Sequence, residues 1–525
     1  MVNQTTDTQR GRSPLTASVA VVCLLAAAVV LLTYWQLHSF PGFGLFSPNQ
    51  DLVVDLASVR RDVPLLDLLT KGYYTTSTGA YTPGPVYRWA LETGALLQDA
   101  LGIAPDAALV RIWSDPVLWK DAPAWYLTDY GSAGLGIALY NTLLACAAGV
   151  TTWRWLKNPV AGVAVMLSPL IVTYANLAFD HGGRTDAHFT LPQPAVGPSL
   201  ITMTSLLALI AVPAAASRWR AGAAASLLAS GLLIQQHLMT LPLALLAAGW
   251  ATYATIGDAR SRGARRAIVA LLPGAVPFAP MLLRLIAEGP GSFLPDRDAQ
   301  GVSFTEGWRG LGAHLRVPSF IAVAFFAAVA VALFLVVRRG QIRKPVAVAV
   351  VSVLATGLVQ QLLFFPSWRQ HYSNWIELVP VTYLLVAVAT ASMRGKLIGA
   401  GVAVLVLVGA ANLSTRLDVE NWRSTMLAEA ADQADWEILR LRELVEGKRV
   451  QVNGDDGIAG LVLYLGERSC IMREASLEKG FSWGFCDGEA GPDLLLSRKD
   501  LPGRRPFDLV RFRGEDWDTI QVHTP

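Results

Sequence analysis

Two carboxylates, Asp51 and Asp55, stand four positions apart in a polar and aromatic stretch that follows the first long apolar run. An i,i+4 spacing puts both on one face if this piece is helical. Further on comes Tyr81-Thr-Pro-Gly-Pro-Val-Tyr87, followed by Arg88. Two prolines around a glycine make a stiff turn that cannot continue a helix. A carboxylate held beside such a turn can take the proton of an acceptor hydroxyl. Arginine matches phosphate oxygens with a planar fork, and cations stabilise charge developing on a departing phosphate. Arg88, together with Arg369, His371 and Tyr372 in the link PSWRQHYSNW, is therefore a candidate for binding a donor phosphate. Tyr81, Tyr87 and His237, the last in Gln235-Gln236-His237, are candidates for substrate contact.

Each of these residues has a plainer reading. Asp55 fits a solvated helix surface, His237 a helix end, and Tyr372 an interfacial aromatic anchor. The crowded charges Asp180, His181, Arg184, Asp186 and His188 fit a solvated loop equally well. Asp51 carries the heaviest commitment to function.

The elements that must position these groups follow from composition. Of 525 residues, 53% are hydrophobic and 16% charged, against roughly 25% charged in soluble domains. This is the composition of an integral membrane protein. A net charge of +3 without a basic tract argues against a nucleic-acid partner. About eleven apolar runs approach the length needed to span a bilayer. They lie at 17–35, 132–153, 158–178, 197–216, 221–236, 238–256, 267–287, 317–338, 345–365, 376–393 and 396–413. The first is too long for a secretory signal and lacks a small-residue cleavage pattern, so it reads as a retained helix.

Basic residues set the orientation. Arg10 and Arg12, Arg154 and Lys157, Arg218 and Arg220, Arg260 to Arg266, Arg338 to Lys344, and Arg394 with Lys396 all fall on one side if residues 1–16 are cytoplasmic. Loops 36–131, 178–196, 288–316 and 366–375 then face outward, with the tail 414–525. The predicted architecture is a polytopic α-helical membrane domain over 17–413, with a long first outer loop at 36–131. A small α/β extracytoplasmic domain follows over 414–525. In the first loop, 51–70 and 85–101 have helical apolar spacing suited to lying flat on the membrane. In the tail, 418–447 and 458–465 read as helices, and 449–453, 494–496 and 509–511 as strands. Cys470 and Cys486 either form a disulfide, as an oxidising compartment permits, or remain free thiols.

The chain resembles the GT-C superfamily of polytopic glycosyltransferases, near its protein mannosyltransferase and aminoarabinose transferase branch. The resemblance rests on Asp51 within SPNQDLVVDLA, the turn in YTPGPVYRW, QPAVGPSL at the start of a later helix, the QQH segment and HYSNWIELVP, in that order over about 35–390. It implies a polyprenyl-phosphate sugar as donor and a cell-envelope glycan, lipid or protein as acceptor. It implies a role as catalytic base or metal support for Asp51, with Asp55 as second choice. The superfamily's usual adjacent acidic pair is absent, because Leu52 follows Asp51; no metal or other cofactor is expected to be required, and a divalent metal stays open as the alternative. The Ala-, Val- and Arg-rich composition is typical of a high-GC actinobacterium, which by association points to mannose or arabinofuranose.

Two other readings compete. A transporter or flippase of lipid-linked sugars would be expected to show internal repeats and broken helices, and no repeat is evident. A non-catalytic envelope-assembly scaffold would use the tail as its binding module.

Overall fold

The computed structural model describes residues 24, 27–28, 31, 61, 86–101, 124–179, 198–236, 240–288, 343–364, 375–390, 434–453, 456–472, 484–488, 490–510 and 519–525. The helices expected at 317–338 and 396–413, and the segment 51–70 apart from Arg61, lie outside these residues. Of the expected first helix, Leu24, Ala27, Ala28 and Leu31 are helical, and Leu31 packs against the core.

The described helical part comprises α1 (Val86–Ala100), α2 (Ala124–Leu156), α3 (Pro159–Phe179), α4 (Pro198–Ala216), α5 (Arg220–Gln236), α6 (Leu241–Arg262), α7 (Ala264–Ala275), α8 (Ala279–Glu288), α9 (Lys344–Phe364) and α10 (Trp375–Thr390). Among the described residues, one stretch, Leu135–Leu156, is by itself long and apolar enough to cross a membrane. Pro159–Pro169, Leu200–Ala216 and Lys344–Gln360 are shorter apolar stretches. The run expected as one helix over 267–287 is broken instead. α7 ends at Ala275, a 3-10 turn covers Val276–Phe278, and α8 follows. Pro273, Pro277 and Pro280 explain the break, since each removes a backbone donor and crowds the preceding turn.

The bundle is arranged around α4, which packs against α2, α5, α6, α9 and α10. Its residues from Leu200 to Ala216 are almost all buried, as suits a helix apolar on every side. The outer surface is apolar too: Leu143, Val160, Leu245, Ile268 and Ile286 are all exposed. Between helices the chain uses small residues. A Cβ added at Gly162 would lie 2.7 Å from the carbonyl oxygen of Gly149, so the α2–α3 crossing requires glycine there. Ser226 and Ser230 of α5 donate to the carbonyls of Ala247 and Ala244 in α6, at 2.8 and 2.7 Å. Small residues and hydroxyls between helices with large apolar side chains outside are what hydrocarbon as solvent selects.

Two prolines decide how α10 is placed. Pro169 in α3 and Pro213 in α4 each lack the N–H that would bond four residues back. The carbonyl of Val165 receives the Ser168 hydroxyl at 2.9 Å. The carbonyl of Leu209 receives the Tyr383 hydroxyl of α10 at 2.9 Å. Thr382, one residue earlier, donates to Ser168 at 3.2 Å. At the far end, Asn158 caps α3, its Oδ1 accepting from Val160 N at 3.0 Å, and its Nδ2 donates to the Ala389 carbonyl of α10 at 2.7 Å. α10 is thus held at three levels by polar groups at helix breaks and ends.

The C-terminal part contains α11 (Ala434–Val445), β1 (Arg449–Val452), α12 (Asp456–Leu465), β2 (Cys470–Ile471), β3 (Leu494–Ser497), β4 (Asp508–Val510) and β5 (Ile520–His523). The sheet order is β2-β1-β3-β5-β4. β2, β1 and β3 run parallel, while β5 is antiparallel to β3 and β4. α12 makes the crossover that parallel strands require. It buries Ile458, Leu461, Val462, Tyr464 and Leu465 with Val450, Val452 and Leu496. Cys470 and Cys486 form a disulfide.

Tyr383→Phe is expected to leave the Leu209 carbonyl without its donor and to cost about 1 kcal/mol. A thermal unfolding scan in detergent checks this: a fall of about 1 °C is expected relative to Tyr253→Phe, a ring half-exposed on α6.

Candidate functional site

The chain reverses at two ends of the bundle, and the ends differ in chemistry. At one end lie the α2–α3 link with Lys157 and the α4–α5 link with Arg218. Lys157 and Arg218 both adopt positive φ, at 55° and 61°. Arg220 pairs with Asp258 at 2.6 Å on this side. The bond from Asn158 to Ala389 places the end of α10 here as well.

Because α10 ends there, it begins at the opposite end, where α5 also ends. In the sequence His237 stands between α5 and α6, and Arg369, His371 and Tyr372 between α9 and α10. The positions of all four, and of Asp51, Asp55 and Tyr81, lie outside the described residues. Tyr87 and Arg88 fall in the first turn of α1, and their side chains lie outside the description. What is described is how their carriers are fixed.

α1 begins directly after Pro85, and its face bearing Ala90 and Leu91 is buried. It packs on α2 where Gly136 allows it: a Cβ on Gly136 would come within 1.8 Å of the Ala90 carbonyl oxygen and 3.1 Å of Gly94 N. α2 has 33 residues, about 50 Å at 1.5 Å per residue. It therefore extends past Leu135, and α1 sits at the boundary between its apolar stretch and its protruding start. The turn carrying His237 is also pinned. The Thr240 hydroxyl donates to the Leu233 carbonyl at 2.7 Å. Gln236 Nε2 donates to Thr204 Oγ1 at 2.7 Å, and that hydroxyl donates to the Leu200 carbonyl at 2.7 Å.

Near this end Thr204 and Ser205 sit in the second turn of α4 and Gln235 and Gln236 end α5, while Gln360 lies in the last turns of α9. All are at most 1% exposed. Both polar atoms of Gln235 and of Gln360, and Oε1 of Gln236, lack a hydrogen-bond partner among the described residues. A buried amide without partners costs about 1–3 kcal/mol. In an apolar bundle such groups mark substrate paths rather than stability. Sequence reasoning took His237 from the QQH segment and passed over its two glutamines and Gln360. The available signal was an amide interrupting an apolar run.

Neither a known protein family nor a curated protein sequence matches the chain. A solved structure does: the crystal structure of ArnT from Cupriavidus metallidurans bound to undecaprenyl phosphate, at TM-score 0.52 and 14% identity, over 96% of this chain and 97% of that one. The chain is similar in fold to ArnT. The likeness covers the bundle and the C-terminal domain together, and ArnT's fold is that of a polytopic membrane protein.

Gln360→Leu is expected to raise stability by about 1 kcal/mol or more, because it removes an unpartnered buried amide. A fall in melting temperature would instead show that the amide is hydrogen-bonded in the folded protein.

Proposed function

We propose that this chain is a glycosyltransferase of the cell membrane. It moves a sugar from a polyprenyl-phosphate donor to a cell-envelope glycan, lipid or protein, at the face opposite the basic links. The observation that carries the reading is the likeness to ArnT, whose structure was solved with undecaprenyl phosphate, along nearly the whole of both chains. The buried amides of Gln235 and Gln360 in the helical bundle support it.

In the proposed reaction the acceptor oxygen attacks the anomeric carbon as the bond from that carbon to the phosphate oxygen breaks. The acceptor proton passes to the carboxylate of Asp51, the electron pair stays on the polyprenyl phosphate, and the configuration inverts. Asp55 is the second choice for base. Arg88, Arg369, His371 and Tyr372 hold the leaving phosphate, and Tyr81, Tyr87 and His237 contact the substrates. Mannose or arabinofuranose is the proposed sugar. The tail 414–525 lies on the same, extracytoplasmic face, and residues 1–16 are cytoplasmic.

The test is Asp51→Asn, assayed with polyprenyl-phosphate sugar in membranes. Loss of a general base is expected to lower transfer by about 10²–10⁴-fold, with expression and melting temperature kept. Full activity in that variant would remove the mechanism.

A further inference from the structure

The guanidinium of Arg61, in the first loop, reaches into the C-terminal domain. Its Nε donates to the carbonyl of Leu463 at 2.8 Å and its Nη1 to that of Ser469 at 2.9 Å. Its Nη2 donates to the carbonyl of Gly466. These carbonyls lie at the C-terminal end of α12 and in the turn that follows. A helix leaves its last four carbonyls without intrahelical donors and concentrates negative partial charge there. Here Gly466 N satisfies Val462 at 2.9 Å, and Arg61 takes Leu463. A rigid planar cation with several donors matches such a cradle, and an ammonium does not.

The cradle is built rather than incidental. Ser469 N bonds the Gly466 carbonyl at 3.1 Å, closing the turn. The Ser469 hydroxyl donates to the Val445 carbonyl, tying the turn to the end of α11. A Cβ at Gly466 would lie 2.0 Å from Ser469 Oγ, so the turn closes only with glycine. Cys470, directly after Ser469, is disulfide-bonded to Cys486. Glu446 accepts from Glu467 N at 3.0 Å, placing a carboxylate next to the same turn.

We infer that the C-terminal domain is a docking partner for the chain's own first loop, and that Arg61 is the positioning residue that joins them. Arg61 is six residues from Asp55 and ten from Asp51. Six residues span at most about 21 Å, so fixing Arg61 sets an upper limit on how far Asp55 can stand from it. The positioning role rests on the proposed glycosyl transfer; the docking does not. The domain accordingly restrains the loop that carries the base, in addition to any contact it makes with an acceptor.

The experiment is hydrogen exchange by mass spectrometry on the full-length protein in lipid nanodiscs, comparing wild type, Arg61→Ala and Arg61→Lys, with turnover measured on the same samples. In Arg61→Ala, amides of 456–472 and of the segment around Arg61 should exchange at least roughly tenfold faster, while α4 stays protected. Turnover should fall by about tenfold or more with the donor KM little changed. Arg61→Lys should recover only part of either property, since one ammonium cannot reach three carbonyls. Unchanged exchange over 456–472 in Arg61→Ala would overturn the docking. Faster exchange with unchanged turnover would overturn the positioning role. If the wild-type protein transfers no sugar, the exchange comparison still decides the docking, and the failure belongs to the proposed reaction alone.

Discussion

A carbonyl with no donor is expensive inside hydrocarbon, and Pro213 creates one at Leu209 in the most buried helix of the bundle. Tyr383 answers it from α10. That bond, with the neighbouring contact of Thr382 to Ser168 beside Pro169, fixes the helix that begins directly after the link bearing Arg369, His371 and Tyr372. The prolines thus serve as attachment points. A helix interior that would otherwise present only apolar side chains offers a polar group at a defined height, and one neighbouring residue can meet it. The register of α10, and with it the start of the link above, follows from this requirement.

The same economy runs through the bundle. At the end with Lys157 and Arg218, Asn158 bonds the Ala389 carbonyl and Arg220 pairs with Asp258. Gln235 and Gln360 are buried with their amides unmet among the described residues. Stability alone would replace them with leucine. Retained polar groups of this kind are expected where a ligand completes the hydrogen bonding. In the sequence the Tyr-Thr-Pro-Gly-Pro segment stands between Arg61, bonded to the C-terminal domain, and α1, seated on Gly136.

Much of the helical layout is legible in the sequence because hydrocarbon imposes its length rule on apolar runs. α3, α4, α5 and α9 begin and end within a few residues of the runs at 158–178, 197–216, 221–236 and 345–365. The break between α5 and α6 is legible as the QQH segment. The break of the run 267–287 into α7 and α8 was signalled by its prolines and obscured by its even hydropathy. In the tail, β1, α12, β3 and β4 follow alternation and apolar spacing. β2 escapes because two residues are too short for a pattern, and β5, as long as β1, is defined by its antiparallel pairing with β3 and β4. The site is less legible. Charged and aromatic residues announce themselves in a sequence, whereas Thr204, Ser205 and Gln360 become notable only when burial is known. Arg61 was unreadable for a different reason: its partners are backbone carbonyls some four hundred residues away, which no side-chain pattern encodes.

The most direct measurement is incubation of the purified protein with a panel of polyprenyl-phosphate sugars, following each donor by mass spectrometry. The account predicts that at least one donor is consumed, with free polyprenyl phosphate and a glycosylated acceptor appearing in equal amounts. Donors that cross sealed vesicles intact, with no polyprenyl phosphate released, would contradict it and identify a carrier instead.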